Sequence, residues 1–371
     1  MYIKNLSLVN FKNYDNLELS FSDKINCFTG NNGAGKTNIL DAIYYLSFCK
    51  SFFSSIDSMS VKHEREMFVI QGNYQIKEQD ENIYCGFEKS KKKKVKRNKK
   101  EYTRLADHIG LIPLVMITPS DITLIIGGSD ERRKFVDGII SQYNRNYLFD
   151  LQRYNKALLQ RNHLLKEAGK TGVNNDDVIE IYDFQLIETG NRIFEERKKF
   201  TNEIIPVFQE YFQHISQGNE QVQLNYFSVL NETNMETILT ENKLKDRIAR
   251  TTTEGIHKDD LELMLGSYLI RKLGSQGQQK SYLIALKMAQ FEYINKLCGF
   301  KPILLLDDVF DKLDSSRVEQ IIKLVSQHNF GQIFITDTNS NRINTVLNSI
   351  NDGYYHFNVN NAEITQVYET N

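Results

Sequence analysis

Apolar and polar residues change rhythm several times along this chain. From residue 2 they alternate: YIKNLSLVNF and LELSF put every second side chain on one face, the period of a half-buried strand. A Gly-rich turn, GNNGAGKT, then opens into NILDAIYYLSF, where Ile39, Ala42, Ile43 and Leu46 recur at helical spacing. Alternation returns in MFVIQGNYQI and NIYCGFEKS, and IPLVMITPSDI reads as a buried strand followed by a turn.

Helical spacing begins near Asp130. DERRKFVDGIISQY is followed by a longer stretch with Tyr147, Leu151, Tyr154, Leu158 and Leu165 at steps of three, four and seven. After the polar loop GKTGVNND, a second amphipathic stretch runs from Val178 to an end near Pro206. The two predict a helical hairpin about 30 Å long. The apolar stripe is not a sustained heptad, so a long coiled-coil arm is not expected.

Strand texture resumes at VQLNYFSVL. A charged helix follows near 236–250, and then buried strand, helix and buried strand in PILLLDD, SRVEQIIKLVSQHN and GQIFITDTN. The predicted fold is therefore α/β, a nucleotide-binding head split by a helical second lobe. The expected boundaries are 1–125 for the first half of the head, 126–250 for the helical lobe and 251–371 for the second half.

Composition changes this picture little. Of 371 residues 40% are hydrophobic, enough for two lobes with cores, and the net charge of −1 means that any nucleic-acid contact must come from local patches. The longest apolar runs fall far short of a membrane span and the N-terminus lacks a signal-type apolar core, so a cytoplasmic protein without a membrane partner is expected. The four cysteines are scattered, which suggests neither a disulfide framework nor a zinc site.

The chemistry concentrates in three places. Residues Gly30, Asn31, Asn32, Gly33, Ala34, Gly35, Lys36 and Thr37 satisfy the phosphate-loop pattern G-x-x-x-x-G-K-[ST] in its required strand–turn–helix context. Loop N–H groups and the helix N-terminus would cradle the phosphates of ATP, Lys36 would reach the β/γ-phosphates, and the Thr37 hydroxyl would ligate Mg²⁺. ILLLDD, residues 303–308, reads as a buried parallel strand whose terminal acids face the ligand crevice. Asp307 would hold the magnesium and Asp308 would polarise the attacking water.

The third place is SQGQQKSY, residues 275–282. Ser275, Gly277 and Gln278 offer a hydroxyl, an open backbone N–H and an amide at the start of a helix, where negative charge is favoured. One chain has only one γ-phosphate to hold. A second anion-binding turn becomes sensible if it caps the ATP of an identical chain, so that ATP closes a symmetric homodimer with two composite sites.

These residues resemble a known family. SQGQQK is similar to the signature motif of ABC-type ATPases, and DDVFDKLD to their Walker B and D-loop. LSLVNFKNYDNLELSF, ITPSDITLIIGGSDERRKFVD and GIHKDDLEL resemble stretches particular to the RecF family of SMC-like ATPases. The resemblance implies an ABC/SMC-type head with a short helical lobe, ATP-dependent dimerisation, DNA binding, and slow, DNA-stimulated ATP hydrolysis used as a switch. It further implies recombinase loading at single-strand gaps with RecO and RecR, in replication-linked repair and the SOS response. The chain departs from the family pattern at Phe53, where an Arg is usual, and at Ile256 and Lys258. Asp308 stands where most such heads carry Glu. Asp337 replaces the transporters' switch His, and no Gln follows LVMIT.

For DNA, the run KKKKVKRNKK supplies Lys91, Lys92, Lys93, Lys94, Lys96 and Arg97 as candidate phosphate contacts, with Arg132 and Arg133 as a second set. The run could also be an ordinary solvated hairpin tip. No sequence-reading motif is present, which predicts recognition of DNA shape. Three other readings compete. A transporter ATPase subunit predicts a contiguous head, a Gln loop and a switch His, none of which is seen. A nuclease fused to a Toprim domain would need more chain after the last strand than 371 residues leave. A clamp that binds ATP without turnover retains every motif above.

Overall fold

The computed structural model describes residues 1–171, 176–218, 220–310, 315–327, 330–340 and 353–369. By backbone proximity the chain forms two units. Met1–Asp121, His214–Gln217 and Lys280–Asn371 make the first; Ile122–Gln213 and Gly218–Gln279 make the second.

The first unit opens with strands β1 (Tyr2–Phe11), β2 (Tyr14–Ser20) and β3 (Ile25–Thr29), then helix α1 (Lys36–Phe48). β4 (Met67–Ile76), β5 (Gln79–Glu88), β6 (Lys94–Arg97), β7 (Lys100–Glu101) and β8 (Leu114–Ile117) follow. β1, β2 and β4 to β7 form one antiparallel sheet in the order β2-β1-β4-β5-β6-β7. Its alternation is the one the sequence predicts: Phe68, Ile70, Gly72, Tyr74 and Ile76 turn inward along β4. The inner face packs in one apolar cluster with α1, whose Ile39, Ala42, Ile43 and Leu46 are all buried.

The second unit contributes α2 (Thr123–Ile126), α3 (Ser129–Tyr143), α4 (Arg145–Thr171) and α5 (Asp176–Ser216). β9 (Val222–Phe227), α6 (Met235–Glu241), α7 (Lys243–Ala249), β10 (Asp260–Leu265), β11 (Tyr268–Leu269) and α8 (Ile270–Leu273) complete it. β10 pairs with both β9 and β11, so residues 251–279 group with the helices by backbone proximity. Tyr147, Tyr154 and Leu165 of the predicted stripe are buried, whereas Leu151 and Leu158 are half-buried. α5 does not end near Pro206 but runs 41 residues, about 60 Å. Proline removes only one ladder bond. The apolar spacing continues beyond it in Phe208, Phe212 and Ile215, all buried. The hairpin helices are thus longer than the 30 Å expected.

α9 (Gln276–Cys298), β12 (Ile303–Asp307), α10 (Ser315–Gln327), β13 (Ile333–Asp337), β14 (Tyr354–Asn360) and β15 (Glu363–Glu369) close the chain. The last sheet runs β15-β14-β3-β13-β12-β8, parallel except for its β14–β15 hairpin. β3, β12 and β13 are buried along their whole length, as strands covered on both faces are. This sheet carries the phosphate loop and the two acids to the same edge, the C-terminal ends of its parallel strands. Residues 311–314, the later part of the D-loop-like stretch, lie outside the described residues.

Candidate nucleotide site

The phosphate loop is held open by contacts from two directions. Gly35 has φ 119, and a Cβ there would lie 2.6 Å from both Asn13 Nδ2 and Tyr14 Oη, so only glycine fits. Tyr14 donates to the Gly35 carbonyl at 3.2 Å and Asn13 to the Ala34 carbonyl at 3.3 Å. Asn13 in turn accepts from the Asn38 side chain at 2.7 Å. From the other side, the β14–β15 turn donates Ala362 N–H to Ala34 O at 3.0 Å. A Cβ on Gly30 would meet Val359 O at 2.1 Å.

α1 begins straight after Gly35 with no side-chain cap and no acid in its first turn, leaving its first N–H groups open to an anion. Lys36 folds back to donate to the carbonyls of Gly30 at 2.7 Å and Asn31 at 2.9 Å. Burial lowers its pKa, opposed by the carboxylates of Asp308, Asp307 and Asp337. Thr37 Oγ1 donates to both oxygens of Asp307, at 2.9 and 3.0 Å. Burial raises the Asp307 pKa, and hydrogen bonds from Thr336 and Thr37 oppose that rise. Asp308 follows β12 with a left-handed φ of 48, and its N–H bonds Thr336 O at 3.2 Å. Loop, Thr37, Asn38, Asp307 and Asp308 line a cleft of about 130 Å³.

The donors suit a magnesium nucleotide. No group of three or more His, Cys, Asp or Glu placed to hold a metal ion occurs among the described residues. Magnesium seldom needs an all-protein cage: one or two protein oxygens with phosphate oxygens and waters suffice. Thr37 and Asp307, joined by a hydrogen bond in the cleft, would supply that protein share.

Ser275 and Gln278 form a reciprocal cap on α9. Ser275 N–H donates to Gln278 Oε1 at 2.8 Å, and Gln278 N–H to Ser275 Oγ at 3.2 Å. Gln278 Nε2 also donates to Glu220 at 2.7 Å. The turn is exposed at Ser275 and half-exposed at Gly277.

The basic candidates separate sharply. Lys93 is internal: its ammonium donates to Cys49 O at 2.6 Å, to Tyr45 Oη at 3.1 Å and to both oxygens of Asp57 at 2.8 Å. Arg132 is 3% exposed and forks onto Asp260 at 2.6 and 3.0 Å. Arg133 donates to the Asp259 carbonyl and to Asp130, both at 2.6 Å. Arg97 is bidentate on Glu81, and Lys91 pairs with Glu88. Such commitments take Lys93 and Arg132 out of the set able to meet DNA, because a buried cation withdrawn from its carboxylate leaves that carboxylate unpaired. Lys92 and Lys94 are exposed, and Lys96 lies over the Tyr84 ring at 5.4 Å.

Spacing alone did not reveal several site residues. Asn13, Tyr14 and Thr336 carry no periodic signal. Lys12 pairs with the fully buried Asp41 at 2.6 Å and lies 4.9 Å over the ring of Phe53, the residue that departs from the family. His356 bonds Thr29 Oγ1 at 2.8 Å just before the loop.

A family model described as the RecF/RecN/SMC N terminal domain matches residues 2–356. The DNA replication and repair protein RecF of Parabacteroides distasonis is 51% identical over 369 residues, covering the whole of both chains. That of Bacteroides fragilis is 49% identical over 370 residues, covering 100% of this chain and 99% of its own. The chain belongs to the RecF family. A solved structure of the recombination mediator RecF-ATP in the RecFOR pathway superposes with TM-score 0.89 at 30% identity, covering 99% of this chain and 98% of its own. An Smc head domain from Pyrococcus furiosus matches at TM-score 0.58 and 19% identity, which bears on the fold alone. The fold is therefore that of an ABC/SMC-type ATPase head with a helical insertion. No helix among the described residues is long and apolar enough to cross a membrane.

Proposed function

We propose that this RecF-family chain is an ATP-dependent DNA-binding protein of replication-linked recombinational repair, which ATP closes into a homodimer on gapped DNA. The observation that carries the ATP half is the bond between Thr37 and Asp307, which joins the phosphate loop to the acid-tipped strand in one cleft. Lys36 would turn from its own loop carbonyls to the β/γ-phosphates, exchanging two neutral acceptors for charged ones. Thr37 and Asp307 would hold magnesium, which supplies positive charge against the phosphates when bound. Asp308, turned by its left-handed backbone, would take a proton from water. Asp reaches one methylene less far than Glu, which favours slow turnover and therefore a switch.

The capped turn of Ser275 to Gln278 would meet the γ-phosphate of a second copy, giving an isologous pair. DNA would be met by Lys91, Lys92, Lys94 and Lys96, through phosphates and without base reading. RecO and RecR are the expected protein partners, by family membership. Light scattering tests the switch: the chain should be monomeric alone and with ADP, and dimeric with ATP and Mg²⁺. Ser275→Arg should stay monomeric. A mass indifferent to nucleotide would remove the composite-site mechanism.

A further inference from the structure

We infer that Thr336 is a positioning residue for ATP hydrolysis, whose single hydroxyl fixes both acids at the end of β12. The inference rests on the ATPase reading above. Thr336 lines the nucleotide cleft with 0% of its surface exposed, and its hydroxyl is spent on the two acids. Its Oγ1 donates to Asp307 Oδ1 at 2.7 Å and accepts from Asp308 N–H at 3.1 Å. A hydroxyl has one proton to give, and this one is given to Asp307.

Two consequences follow. Thr37 approaches Asp307 from the phosphate loop, while Thr336 approaches it from the neighbouring strand β13. The carboxylate is thus held by Thr336 whatever Thr37 does when a nucleotide arrives. Second, Asp308 adopts a left-handed backbone, which costs a non-glycine residue energy unless its surroundings hold it. The Thr336 carbonyl and hydroxyl share the Asp308 N–H at 3.2 and 3.1 Å and close that turn. A valine would keep the shape and remove both hydroxyl bonds. A serine would keep the bonds and lose one methyl.

The test compares wild type, Thr336→Val and Thr336→Ser in the full chain. Three quantities are read: ATP affinity without magnesium, the magnesium concentration giving half-maximal ATP binding, and single-turnover hydrolysis. In Thr336→Val, metal-free ATP affinity should match wild type, the magnesium midpoint should rise, and hydrolysis should fall about tenfold or more. Thr336→Ser should recover the wild-type midpoint and a rate within about threefold. A Val variant equal to wild type in midpoint and rate overturns the inference. So does a Ser variant with a raised midpoint, which stays decisive if the Val variant fails to fold. A wild type that binds no magnesium–ATP overturns the ATPase reading and this inference together. A wild type that binds it, beside an unaltered Val variant, overturns this inference alone.

Discussion

Thr37 donates its hydroxyl to both carboxylate oxygens of Asp307, a residue 270 positions further along the chain. The bond spans the entire helical insertion in sequence, and it sets a tension between stability and use. Burial holds the Asp307 carboxyl above its ordinary value of 3.8. A carboxyl raised in this way contributes fully to stability below its unfolded pKa, and that contribution is lost as pH rises through the folded value. The nucleotide-free fold therefore disfavours the ionised carboxylate relative to the unfolded chain. Asp307→Asn should raise the neutral-pH urea midpoint, and the gain should shrink toward pH 3. Calorimetry should meanwhile show magnesium–ATP binding weakened about tenfold or more.

Gly35 allows no side chain. Gly35→Ala places a methyl against Asn13 and Tyr14 in a left-handed backbone, at a cost of about 1–3 kcal/mol, and nucleotide binding should be lost. Tyr14→Phe removes only the bond to Gly35 O, worth about 1 kcal/mol. It should weaken ATP binding several-fold by fluorescence titration without unfolding the chain.

Within one lysine run the substitutions should diverge. Lys93→Met takes the cation from Asp57, leaving it the Tyr45 hydroxyl, and uncaps the carbonyl of Cys49 at the end of α1, so about 2 kcal/mol of stability should go. Lys94→Glu and Lys96→Glu should shift stability by less than about 0.5 kcal/mol. They should instead weaken DNA binding and lower its salt slope by about one each. Denaturation and anisotropy across a salt series separate the two classes. A Lys94→Glu protein with wild-type DNA affinity would remove the run from the DNA surface.

His257 gives the second unit a pH dependence. Its Nε2 contacts the Thr252 carbonyl at 3.1 Å, which calls for an N–H there, so Nδ1 accepts from Tyr154 at 2.8 Å. Both contacts suit the neutral ring, and burial lowers its pKa from 6.5 to about 4. A histidine lowered on folding contributes stability present above its unfolded pKa and lost as pH falls through the folded value. Unfolding by urea between pH 7 and pH 4 should lose up to about 3 kcal/mol through this group. His257→Gln should be less stable at pH 7 and flatter across that range.

The fold and the chemistry were legible in the sequence to different depths. GNNGAGKT and ILLLDD announce themselves because phosphate binding demands a fixed run of residue types beside one strand. Helical spacing located α4 and α5 but misplaced the end of α5, since Pro206 looks like a stop and the burial beyond it is tertiary. Charge in a run of lysines says nothing about which one turns inward, so Lys93 could not be told from Lys94. Thr336, Asn13 and Tyr14 act by single hydrogen bonds to distant residues, and such bonds leave no periodic trace. The turn at Ser275 and Gln278 was placed at a helix start but read only as an anion site; its reciprocal capping emerged from the structure, although S-x-x-Q before a helix is a local pattern.

The strand order also governs when the site can exist. β3, which leads into the phosphate loop, lies between β13 and β14, and Gly30 rests against Val359. During synthesis at about 5–20 residues per second, the loop emerges roughly fifteen seconds to a minute before the strands that flank it. Until then both hydrogen-bonding edges of β3 lie open, and a ribosome-bound chain has no finished nucleotide cleft. A chain cut short before β14 would carry the whole phosphate-loop motif and still lack the backing on which that loop is folded.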